Sequence, residues 1–175
     1  DLFGMMGWRV GYIALVDRQT GPNGVDWSLK EEILKVQDSI PICATVISQR
    51  MAIGALKAGE DWFKGKLAVV AENRKVVKEA LVEVLGKGSI YGGDGAIYFF
   101  AKLPSPPFTI EGVPYDERVC KFLVENYGVA IIPGSACGAP NFVRVSYANL
   151  EPDQFAAGVA RLKEGLANLD QLAVQ

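Results

Sequence analysis

Two arginines stand inside apolar stretches that read as strands. Arg9 lies in G-W-R-V-G-Y, residues 7–12, and Arg144 in F-V-R-V-S-Y-A, residues 142–148. Strand alternation puts Arg9 on one face with Gly11 and Ile13, opposite Trp8, Val10 and Tyr12, and puts Arg144 with Phe142, Ser146 and Ala148. A guanidinium keeps its charge in a protein, so on such a face it must reach water or meet an anion. Its planar fork fits a phosphate or a carboxylate through two parallel hydrogen bonds. Two readings stay open at each position. One is a strand-end arginine that snorkels to solvent or joins a structural ion pair; the other is a site for an anionic ligand.

The remaining chemistry is limited by what the chain lacks. It has no histidine, which excludes Ser-His and Cys-His nucleophilic pairs and His-ligated metals. Three cysteines, Cys43, Cys120 and Cys137, are widely spaced, odd in number and fit no zinc motif, so a reducing compartment is expected. Cys137 reads as a small packing residue, with a reactive thiol as the alternative. Tyr12, Tyr91, Tyr98 and Tyr147 read as packing residues with a wet hydroxyl. The run Gly92-Gly93-Asp94-Gly95 precedes a strand, not a helix, and so reads as a turn instead of a phosphate cradle. Glu31-Glu32 and Asp116-Glu117 read as solvated charges at helix starts, where they favour the helix dipole.

The formal net charge is −2, with Lys and Arg spread along the sequence. That excludes the basic stripe of a nucleic-acid binder and a polybasic membrane-surface segment. No stretch approaches the roughly 20 apolar residues that cross a bilayer. Half of the chain is hydrophobic and 22% is charged, a globular composition able to bury a core.

The elements that would carry the arginines follow from periodicity. Residues 8–16 read as a strand, buried at its end, and 19–24 as a turn-rich loop. Leu29, Ile33 and Val36 predict a helix over 28–39, before Pro41. The small, apolar segment 42–59 predicts a buried helix. Leu67, Val70, Ala71, Val77, Leu81, Val84 and Leu85 predict a helix over 62–85, ended by Gly86 and Gly88. At about 24 residues it would be roughly 36 Å long. Beyond it, 96–102 reads as a strand and the proline-rich 105–114 as a loop. Asp116 reads as the cap of a helix over 117–127, stopped by Gly128. A short strand over 129–132, a tight loop over 133–141 and a strand over 142–148 follow. Pro152 suits the first turn of a last helix, on which Phe155, Val159, Leu162, Leu166 and Leu169 share a face.

Three of these segments together resemble the class I/II aminotransferases of fold type I, which depend on pyridoxal 5'-phosphate (PLP). G-M-M-G-W-R-V-G-Y, residues 4–12, is similar to the stretch that follows the family's Schiff-base lysine. V-A-I-I-P-G-S-A-C-G, residues 129–138, resembles the family's stretch ending P-G-x-x-F-G, with Cys137 where an aromatic is usual. F-V-R-V-S-Y-A resembles the family's carboxylate-binding strand. The resemblance spans essentially the whole chain, in the family's order.

What the resemblance implies is specific. Arg9 would bind the PLP phosphate and Arg144 the α-carboxylate of an amino acid or 2-oxo acid substrate. The fold would be α/β: residues 1–61 the C-terminal remnant of the large PLP-binding domain, 62–85 a linking helix, and 86–175 the α+β small C-terminal domain. The family's lysine lies eight residues before the motif arginine, a position occupied here by Asp1, so no catalytic residue is assigned and the chain alone is expected to be inactive. A homodimer is implied for the intact protein, with a cytoplasmic or organellar location. Apolar neighbours such as Phe142 point to aromatic or large neutral amino acids. The alternatives are a non-catalytic truncated module that pairs with a full-length subunit, and a PLP-dependent lyase of the same fold.

Overall fold

The computed structural model describes residues 3–15, 29–106, 110–148 and 150–173, and all of their side chains except those of Lys66, Pro152 and Ala173. Asp1 and the loop expected over 19–24 lie outside them. The chain divides into two compact units, Asp1–Lys64 and Gly65–Gln175.

In the first unit, Met6–Trp8 form a single 3-10 turn that Arg9 ends in the left-handed conformation, with φ 52° and ψ 43°. The strand expected over 8–16 is not formed in residues 9–15. A strand must hand its N–H and C=O groups to a neighbour, and among the described residues of this unit there is no strand to receive them. Tyr12 and Ile13 are accordingly exposed. Helix α1 (Leu29–Ser39) carries Glu31 and Glu32 in its first turn, where they favour the dipole. Helix α2 (Val46–Ala58) forms where the sequence pattern places it, but it is not buried. Ile47, Ile53 and Leu56 are exposed, because few elements of this unit are available to cover them; Ser48 is its buried residue. Near the end of the unit, Phe3 packs edge-on against Phe63, with ring centroids 5.5 Å apart.

Helix α3 (Glu60–Leu85) begins two residues earlier than its periodicity suggests; from Gly65 onward it belongs to the second unit. Val77 and Leu81 are buried in the core of that unit, and Val70, Val76, Val84 and Leu85 pack against it. Gly86, at φ 84°, stops it. Four strands follow: β1 (Ile90–Gly92), β2 (Tyr98–Lys102), β3 (Ile132–Pro133) and β4 (Phe142–Ser146). They form one antiparallel sheet in the order β1-β2-β4-β3. The glycine-rich run after β1 is the turn that joins it to β2. β1, only three residues long, is too short to show alternation in the sequence. β3 is shorter than expected, because only Ile132 and Pro133 pair with β4.

The two faces of the sheet differ in chemistry. Phe99, Ala101, Val143 and Val145 are buried on one face. There they pack in one core with α4 (Tyr115–Tyr127) and α5 (Pro152–Ala167), which supply Val119, Phe122, Leu123, Phe155, Leu162 and Leu166. Burying side chains of this size stabilises by about 1.5–3 kcal/mol each. The helices pack so closely that a Cβ on Gly165 would stand 2.4 Å from Cδ2 of Leu123. The alternate residues, Tyr98, Phe100, Phe142, Arg144 and Ser146, lie on the other face and are at least partly exposed. Among the described residues, no helix is long and apolar enough to cross a membrane.

Candidate anion site on the open face of the sheet

β4 holds Arg144 at the middle of the sheet. It pairs with Phe100 of β2 on one side and Ile132 of β3 on the other. Alternation then places Tyr98, Phe100, Phe142 and Ile132 on the same face as the guanidinium, and the β1–β2 register adds Tyr91 opposite Phe100. The rings of Phe100 and Phe142 stack, with centroids 5.0 Å apart and planes 8° from parallel. Tyr91 leans on Phe142 at 5.8 Å. The guanidinium carbon of Arg144 sits 5.1 Å from the centroid of the Tyr98 ring, a cation–π contact.

That ring is the guanidinium's partner among the described residues: no carboxylate or carbonyl there accepts its N–H groups. No residue of the four strands is acidic. Arg144 is half-buried and borders a cleft of about 560 Å³ lined by Tyr98, Ile132, Ser146 and Arg161 and also by the core-side residues Val145, Phe155 and Leu162. The structure therefore keeps Arg144 mid-strand, as the sequence suggests, and presents a planar, unmatched fork on an aromatic floor. Such a group suits a carboxylate.

Arg9 is held differently. Its strand did not form, and it sits exposed at the end of the 3-10 turn, where its Nη1 donates to the carbonyl of Met6 at 3.2 Å. Among the described residues its other N–H groups meet no acceptor, so the donor set fits an oxyanion such as a phosphate. Arg9 belongs to the first unit and Arg144 to the second.

Asp116 departs from its sequence reading. It neither caps α4 nor faces solvent. Pro114 takes the cap position, and the Asp116 side chain is completely buried. Its Oδ2 accepts the backbone N–H of Ser135 at 2.7 Å and its Oδ1 accepts that of Asn141 at 3.1 Å. Burial pushes this carboxyl up, but the donors from Ser135 and Asn141 outweigh it and hold it below the ordinary carboxylate range. Nothing local in P-Y-D-E marks that difference, because both partners lie in a loop some twenty residues away. Glu117 stays at the surface, as expected, and accepts from the Ser135 hydroxyl at 3.3 Å.

Two further sequence readings change. Tyr147 is buried, and its hydroxyl donates to the carbonyl of Ala96 at 2.9 Å instead of meeting water. Cys137 is exposed, not packed. Cys43 is also exposed and Cys120 buried, and all three are free thiols. Burial, with Asp116 and Glu117 nearby, pushes the Cys120 thiol up to about 12.

Residues 2–162 match the family model described as aminotransferase class I and II. An aromatic aminotransferase of Arabidopsis thaliana, ISS1, is 44% identical over 167 residues, covering 95% of this chain and 39% of that protein. A probable aspartate/prephenate aminotransferase of Aquifex aeolicus is 28% identical over 169 residues, again 95% of this chain and 39% of its own length. Among solved structures, the aspartate aminotransferase of Rhizobium meliloti superposes with a TM-score of 0.57 at 25% identity, over 78% of this chain and 34% of its own. The chain thus spans about two fifths of the length of the curated relatives it matches.

Proposed function

The chain belongs to the class I and II aminotransferases, and from that premise we propose that it serves as the C-terminal part of a PLP-dependent enzyme that moves amino groups between aromatic amino acids and 2-oxo acids. PLP, when bound, supplies the electron sink that labilises the bonds at the substrate's Cα. The residues of this chain bind and orient. Arg9 would hold the cofactor's phosphate and Arg144 the substrate's α-carboxylate. Residues 1–61 would belong to the large domain, 62–85 would link it to the small domain formed by 86–175, and the intact protein would be a homodimer.

The observation that carries this reading is the Arg144 fork, without a carboxylate partner among the described residues, on a face built from Tyr91, Tyr98, Phe100 and Phe142. A carboxylate meeting that fork gains two charge-assisted hydrogen bonds. An aromatic side chain beside it finds rings to pack on. The relative at 44% identity, whose name is that of an aromatic aminotransferase, supports the same substrate class.

The test is a substrate profile of the PLP-loaded enzyme that carries this segment. Phenylalanine, tyrosine and tryptophan are expected to give kcat/KM values at least ~10-fold above those for alanine and aspartate, a difference of about 1.4 kcal/mol in transition-state binding. A clear preference for aspartate would overturn the aromatic assignment, and loss of a substrate carboxyl as carbon dioxide in place of amino transfer would overturn the reaction class.

A further inference from the structure

We propose that Asp116 is a positioning residue for Arg144: its carboxylate clamps both ends of the loop that joins β3 to β4 and so sets the place of the Arg144 fork. The inference rests on the carboxylate-binding reading of Arg144. The loop runs from Gly134 to Asn141. Ser135, whose N–H is bound by Oδ2 of Asp116, lies two residues beyond the end of β3. Asn141, whose N–H is bound by Oδ1, immediately precedes the first residue of β4. One buried side chain thus fixes the exit of one strand and the entry of the next.

The rest of the loop leaves it little freedom to drift. Asn141 adopts φ 67°, in the left-handed region that asparagine tolerates better than most residues with a side chain. Its carbonyl accepts the N–H of Leu103 at 2.9 Å, just past the end of β2. Gly134 is pressed against the loop's far end: a Cβ there would stand 2.3 Å from the carbonyl oxygen of Ala139 and 2.7 Å from that of Phe142. These contacts set the register in which Ile132 and Phe100 flank Arg144. They also fix Phe142, whose ring floors the same face.

Two backbone donors converge on Asp116, one on each oxygen, so a group with an acceptor atom at both places satisfies both as they stand. A carboxylate does so. A carboxamide offers one oxygen and turns an NH₂ toward the other N–H, so Asp116→Asn breaks one end of the clamp while keeping side-chain volume. Asp116 touches no substrate in this scheme. It acts through the strand that bears Arg144.

The experiment has two arms. In the 175-residue chain, amide hydrogen exchange followed by NMR should show protected N–H groups at Ser135 and Asn141, and Asp116→Asn should deprotect at least one of them while leaving Val119 and Leu123 in α4 protected. In the PLP-loaded enzyme, Asp116→Asn should raise KM for the amino acid about 10-fold, equivalent to ~1.4 kcal/mol. The value of kcat at saturating amino acid and the cofactor's absorbance should stay within about twofold, since a merely destabilising change would lower the amount of active enzyme and leave KM alone. If Asp116→Asn does not accumulate as folded protein, Asp116→Glu displaces the two acceptors by one methylene and should give the same split, KM raised and kcat held. Arg144→Lys separates this inference from the reading beneath it. If Arg144→Lys raises KM and neither Asp116 variant does, the clamp is overturned. If Arg144→Lys leaves KM intact for every amino acid, the carboxylate assignment falls and the clamp's role falls with it.

Discussion

The guanidinium of Arg144 rests over the ring of Tyr98, 5.1 Å from its centroid, and the two residues reach that position from paired strands. Tyr98 stands opposite Ser146 and Phe100 opposite Arg144. The ring neutralises no charge. It supports the fork from below and leaves its N–H edges free for a flat anion.

Arg144→Lys should therefore be costly in the intact enzyme despite conserving the charge. A lysine loses the second parallel hydrogen bond and stacks less well on Tyr98. The expected outcome is a kcat/KM for amino acids lower by at least ~10-fold, about 1.4 kcal/mol. PLP binding, followed by its absorbance, should be nearly unchanged, because its phosphate is assigned to Arg9. Release of PLP as the main effect would reassign Arg144.

Gly134→Ala should destabilise the second unit. The added methyl has no space between the carbonyls of Ala139 and Phe142, and both obstacles are backbone, which cannot rotate away. A cost of about 1–3 kcal/mol is expected, read from urea or thermal unfolding. An unchanged midpoint would mean that this loop yields more easily than its contacts imply.

Acid should weaken the fold through Asp116. Its carboxyl lies below the ordinary range in the folded chain, so the unfolded state takes up the proton first as pH falls. The stabilisation is fully present above the unfolded carboxylate pKa and is lost as pH drops through the folded one. Unfolding curves between neutral pH and pH 3 should show a smaller slope with pH for Asp116→Asn than for the parent chain. Identical slopes would contradict the assignment.

The three thiols should separate by reactivity. Cys43 and Cys137 are exposed, whereas Cys120 is buried and its thiol is pushed up to about 12. A maleimide at neutral pH should label the first two within the folded chain and Cys120 only on unfolding, as mass spectrometry of peptides would show. Rapid labelling of Cys120 under native conditions would mean that α4 opens readily from the core.

Residues 9–15 should exchange their amide hydrogens fast in the 175-residue chain. They form no strand, and their apolar side chains Tyr12, Ile13 and Leu15 are exposed. Strong protection would show that this segment finds a pairing partner after all.

How much of this was legible in advance depends on how local the cause is. Helices α1, α3 and α5 follow from repeats of apolar residues at three- and four-residue steps, and strand β4 from alternation around Arg144. Motif order across Arg9, Pro133-Gly134 and Arg144 points to the family from the sequence, because those residues keep their spacing however the chain packs. Burial was less legible. The composition of α2 is the same whether or not something covers it, so its small, apolar residues predicted a buried helix where Ile47, Ile53 and Leu56 are exposed. The segment after Trp8 has the composition of a strand, but a strand exists only with a neighbour.

The sequence by itself determined the mid-strand placement of Arg144, the chemistry its fork can perform and the absence of any histidine to perform another. Tertiary structure alone decided what surrounds it. Tyr98 and Phe100 come from a strand more than forty residues away, and their place beside Arg144 depends on the register of β2 against β4. Asp116 was decided in the same way. In the sequence it is one more acidic residue at a helix start, a candidate cap with Glu117 beside it. In the fold a single step along α4 turns one carboxylate to water and the other into the core, where the donors of Ser135 and Asn141 converge on it. Both outcomes arise from contacts between residues far apart in the chain, which no local pattern encodes.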